Sequence, residues 1–181
     1  ENSGGGGIIG NAAASFLRMN RVTVANTAFN VIQNSPADFT IAANISNGSS
    51  GAPTHLVKQG NGNLIIAHTG NGFSGGTDVN AGTLTVAAGA SLGGGAVVVN
   101  QGKLAINSGT TLLHAGTTLA GGTTAAINVT SANGQVTLTN NLTFNAGTST
   151  LEFVYNAGVA PSARAAPLVV SNLTANATIN V

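Results

Sequence analysis

Four carboxylates are available for chemistry in 181 residues: Glu1, Asp38, Asp78 and Glu152. Two would have to meet for glycoside hydrolysis, one as acid and one as base or nucleophile. Several would have to cluster to hold calcium in a lyase-type site. The positions of Asp38 and Asp78 differ by two whole steps of twenty, whereas Glu152 falls between such steps. A regular repeat of twenty would set the first two on one side, two turns apart, and leave Glu152 out of phase. The spacings of the histidines, His55, His68 and His114, fit no metal-ligand signature. They read as solvated turn or surface groups. Cysteine is absent. This inventory assigns no catalytic residue, no cofactor site and no metal site, and the chain reads as a non-enzyme.

Composition narrows the class further. Charged residues make up 5% of the chain, against about 25% in an ordinary globular protein. Apolar residues reach 43%, enough to build a core. The basic residues Arg18, Arg21, Lys58, Lys103 and Arg164 are scattered, so no electrostatic footprint for nucleic acid exists. A surface this poor in charge has little self-repulsion and permits association. No apolar run approaches the ~20 residues of a helical membrane span. The start at Glu1 and the strand-like end "ATINV" (177–181) read as a mature or excised segment.

The elements that would carry any site repeat. "NGNLII" (61–66), "AGTLTV" (81–86) and "QGKLAI" (101–106) align at a constant step of twenty. Each copy reads Gly-x-Leu-x-Ile/Val, the period of two that marks a strand with one buried face. Gly62, Gly82 and Gly102 stand at the strand entries, where a corner needs positive φ or close backbone approach. Between the strands lie Gly, Asn, Ser and Thr, which are turn residues. Short strands and tight turns at this period indicate an all-β parallel solenoid of about 20 residues per coil. Leu64, Leu84 and Leu104 would form one inward ladder, and Ile66, Val86 and Ile106 the next. Asn80 and Asn100 would stack as an amide ladder in a turn. The whole of 1–181 reads as one solenoid segment, most regular over 55–120, with "AGVAPSARAAP" (157–167) as a projecting loop. "NAAASFLRMN" (11–20) is open between a short capping helix and a further strand. The aromatic residues read as interior or corner packing, with a sugar-stacking platform at Phe153 and Tyr155 as the sharper alternative.

Residues 55–86, "HLVKQGNGNLIIAHTGNGFSGGTDVNAGTLTV", resemble the passenger-associated (autotransporter-associated β-strand) repeat of bacterial autotransporters. Lys58, Gly60, Gly62, Leu64 and Ile66 match its first half. Asn71, Phe73, Ser74, Gly75 and Thr77 match its turn, and Val79, Asn80, Ala81, Gly82, Thr83 and Leu84 its end. Gly72 and His68 depart from the pattern. The C-terminal region is similar, more loosely, to the coils that follow such repeats. The resemblance implies a right-handed parallel β-helix, exported across the outer membrane and displayed on the cell surface, with a C-terminal membrane barrel expected to be absent from residues 1–181; the membrane would be met only through that barrel.

The expected function is therefore a structural or adhesive extracellular rod. Its partners would be a host or cell-surface glycan or protein, or the chain itself, and not nucleic acid. The alternative is a subunit that stacks head to tail into a filament, because a solenoid end leaves unpaired strand edges. A polysaccharide-degrading enzyme is the remote third reading.

Overall fold

A computed structural model of the chain describes residues 6–10, 15–17, 21–23, 28–48, 50–131, 134–145, 147–156, 158–159, 166–176 and 178–181. In chain order its strands are β1 (Gly6–Gly10), β2 (Ser15–Leu17), β3 (Arg21–Thr23), β4 (Ala28–Gln33), β5 (Phe39–Ile41), β6 (Asn44–Ser46), β7 (His55–Gln59), β8 (Asn63–Ile66), β9 (Gly76–Val79) and β10 (Thr83–Val86). There follow β11 (Val97–Val99), β12 (Lys103–Asn107), β13 (Thr110–Leu112), β14 (Thr117–Leu119), β15 (Thr124–Val129), β16 (Val136–Phe144), β17 (Thr148–Tyr155), β18 (Leu168–Ala175) and β19 (Thr178–Asn180). No helix occurs among the described residues.

The strands are short because the turns come early. A brief run of alternating residues is followed by glycine and asparagine, and the chain bends instead of extending. Each passage visits the same sides in turn. One sheet runs β1-β4-β7-β9-β11-β14-β16, with β13 and β18 also on β16; a second runs β2-β5-β8-β10-β12-β15-β17-β19. A third, narrower side starts with β3 on β6. It continues through the Ser46–Gly72 bridge and the bond from Gly94 N to Phe73 O. Strand neighbours are parallel throughout the described ladders, for example β7 on β9 and β8 on β10. The fold is a parallel β-solenoid.

One core runs through the coils. It is lined by ladders in which equivalent side chains stack: Phe39, Leu64, Leu84, Leu104, Ala125 and Leu151 in the second sheet, all buried. Each fully buried Leu or Ile contributes about 1.5–3 kcal/mol through removal of apolar surface from water. Facing them in the first sheet is the row Val31, Lys58, Val79, Val99, Leu119 and Phe144.

The coil is not uniform. The step is twenty from Leu64 to Leu84 and again to Leu104. It is 25 from Phe39 to Leu64, 26 from Ala125 to Leu151 and 27 from Phe29 to Leu56. The extra length before Leu56 goes into an outward turn closed by Gly48 N on Ala52 O and Gly51 N on Gly48 O. The ladders on either side keep their register.

Of the segment 11–20, Ser15–Leu17 is strand, paired in parallel with Phe39–Ile41; the remainder lies outside the described residues, as do residues 157 and 160–165 of the expected projecting loop. Phe29, Phe39, Phe73 and Phe144 are buried in the core. Phe153 continues the inward row under Ile127, and Tyr155 lies under Val129. Both pack against the core, so they are interior rungs and not an outward sugar platform.

Candidate functional site

The stretch from Leu56 to Val86 is built from corners. At one corner Gly62, Gly82 and Gly102 follow each other through the stack. Gly82 has φ +64°, and a Cβ there would sit 2.5 Å from Gly60 O and 2.6 Å from Gly62 O. Only glycine allows the coils to approach this closely. From these corners Leu64, Leu84 and Leu104 enter the core in register, followed by Ile66, Val86 and Ile106; all six are 0–1% exposed. Asn100 Nδ2 donates to Asn80 Oδ1 at 2.9 Å, linking successive turns. The same link recurs where no regular repeat announced it, from Asn128 to Asn107 and from Asn172 to Asn141.

The buried polar side chains include Lys58, Asn71 and His114. Lys58 alternates with Leu56 along β7, so the period-two rule sends both inward, and Lys58 is fully buried. Its Nζ donates to Gln59 O at 3.0 Å, Gly60 O at 2.6 Å and Ala81 O at 3.0 Å. Burial pushes its pKa down to about 8. Asn71 ties three passages of the chain together. Its Oδ1 accepts from Ile45 N at 2.8 Å, while Nδ2 donates to His68 O at 3.2 Å and Ser91 O at 2.8 Å. The expectation of solvated histidines fails at His114, which is 1% exposed. His114 Nε2 lies 2.6 Å from Thr117 Oγ1, and its carbonyl accepts from Asn140 Nδ2. Burial pushes its pKa below the usual histidine range, and a backbone hydrogen bond at Leu112 opposes this in part.

On the outside, titratable side chains meet diagonally across coils. His55 is in register with Gly76, and Asp78, two positions further along β9, reaches it with Oδ2 3.0 Å from Nε2. This pair borders a shallow open recess of about 470 Å³, lined also by Ala28, Pro53 and Gly75. Lys103 Nζ reaches Glu152 Oε2 at 2.6 Å, two coils away. The small residues Ala105 and Ala126 occupy the outward row that leads to Glu152 and leave room for that crossing. Asn63 Nδ2 donates to Asp38 Oδ1, and Thr85 Oγ1 donates to Asn63 Oδ1.

This arrangement corrects the expected neighbourhood of Asp38 and Asp78. Asp38 precedes β5 in the second sheet and meets Asn63, whereas Asp78 is in the first sheet and meets His55. The unequal coil lengths defeat a phase counted in twenties. No two carboxylates are brought together among the described ion pairs and hydrogen bonds, and no group of three or more His, Asp or Glu able to hold a metal ion occurs among the described residues. The geometry offers hydrogen bonds and stacking.

Residues 56–86 match the model of the passenger-associated-transport-repeat family. The matched stretch runs from Leu56 in β7 to Val86 in β10, and so contains Lys58, Asn71, Phe73, Asp78 and the Gly82 corner. The chain thus carries a repeat of the autotransporter passenger type. No curated protein and no solved structure matches the chain.

Proposed function

We propose that this chain is a non-enzymatic, extracellular structural or adhesive rod, a passenger-type β-helix exported to a bacterial surface. The observation that carries this reading is the passenger repeat at 56–86 seated within continuous parallel ladders. The disposition of charge supports it. Asp38, Lys58, Asp78, Lys103 and Glu152 each have a partner within the fold, and none of these contacts joins two carboxylates. A surface partner, a glycan or a protein, would meet the rod through its outward turns and the recess beside His55 and Asp78.

A second reading is head-to-tail assembly into a filament, in which a second copy would stack on the coil formed by β18 and β19. Leu173 continues the inward row of Thr117 and Leu142, yet it is 53% exposed. A stacked coil, from further polypeptide or from a second copy, would cover it and pair the strand edges. Electron microscopy of the purified chain at neutral pH separates the two readings. Uniform short rods support the stalk, and filaments support the assembly. Depolymerisation of acidic or neutral glycans, with or without calcium, would overturn the non-enzymatic assignment.

A further inference from the structure

Within the inward row of the first sheet, Lys58 is the one charged residue among those described, and its row neighbours Val31 and Val79 are apolar. An ammonium in this position is a poor source of stability. Removing its water costs several kcal/mol, and hydrocarbon of similar volume often serves as well or better. What the ammonium can supply is selection among ways of stacking.

Apolar burial leaves that selection loose. A shift of two positions between parallel strands keeps the same faces inward, so the core pattern does not forbid it. The strands that stack after Lys58 are "GTDV" in β9 and "VVV" in β11. A slip of two positions gives Leu56 the partner Val79 in place of Thr77, side chains nearly equal in size that discriminate weakly between the two alignments. The carbonyl cage does discriminate. Two acceptors, Gln59 O and Gly60 O, belong to the corner that follows Lys58 itself. The third, Ala81 O, belongs to the next coil. At ~3.3 Å per residue, a slip of two positions displaces Ala81 O by ~6.6 Å and leaves a buried cation short of an acceptor.

We propose that Lys58 is the register-setting residue of this solenoid: it selects which corner of the following coil stacks on its own corner, and does not add to net stability. Buried polar groups at single core positions fix register in coiled coils by the same physics.

The chain contains no cysteine, so paired cysteines report register directly. Val57 and Asp78 are partners in the observed register; Val57 opposite Asn80 marks a slip of two positions. In the chain with Lys58 intact, Val57→Cys with Asp78→Cys should oxidise readily, and Val57→Cys with Asn80→Cys should not. Adding Lys58→Met should leave the thermal midpoint unchanged or higher and allow the 57/80 pair to close in part of the population. Three results overturn the proposal. One is Lys58→Met closing only at 57/78. Another is 57/80 closure with Lys58 intact. The third is a sharp fall of the midpoint or failure to fold in Lys58→Met, which would make Lys58 a stabilising contact instead.

Discussion

Single buried residues set the pH response of this rod. The folded state lowers the Lys58 pKa from 10.5 to about 8. Between those values the unfolded chain binds more protons than the folded one, so stability rises with pH across that window. The lowering corresponds to a gain of up to ~3 kcal/mol between about pH 7.5 and pH 10.5. Urea denaturation at the two pH values should show the gain, and Lys58→Met should abolish it; an equal gain in Lys58→Met would assign it elsewhere. His114 responds at the acid side. Its folded pKa is lowered, so the stability it permits is present above the ordinary histidine range and is lost as pH falls below about 6.5. The thermal midpoint should drop between about pH 7 and pH 5, and drop less in His114→Gln. Of these two burials, one was legible in the sequence. "HLVKQ" puts Lys58 on the same face as Leu56 by simple alternation. His114, by contrast, sits in the turn that follows β13, where no periodicity tells inside from outside.

Among elements, the strands with a strict step of twenty were the legible ones. Gly-x-Leu-x-Ile/Val states both a buried face and a corner, and β8, β10 and β12 stack as that pattern requires. Leu84→Ala removes a rung that touches a neighbour on each side, and should cost about 2–5 kcal/mol in chemical denaturation. A negligible change would contradict its position in the ladder. The corner has its own signature. Gly82→Ala meets both a positive φ and two carbonyl oxygens, and should cost at least ~1–3 kcal/mol from backbone strain alone, although it adds one methyl group to the chain. Less legible were the elements flanking this centre. The longer coils there carry the same alternation with different spacing, so the side on which Asp38 lies could not be counted from Asp78. The partner of Lys103 was equally opaque, because Glu152 is reached across two coils of unequal length.

For the whole molecule, scarcity of charge is the governing property. The Lys103–Glu152 ion pair and the His55–Asp78 contact lie on the described surface, and exposed pairs contribute about 0–1 kcal/mol each. Raising sodium chloride from about 0.05 M to about 1 M should therefore shift the unfolding free energy by no more than ~1–2 kcal/mol. A larger loss would mean that electrostatics, and not stacked apolar rungs, hold the rod together. The turn at Gly48–Ala52 adds a practical consequence. It lengthens one coil while the rungs above and below stay aligned, and Gly51 has open space around it. A foreign peptide spliced there would be carried on the outside like a flag on a pole. The molecule can therefore change what it shows to its surroundings without changing how it folds.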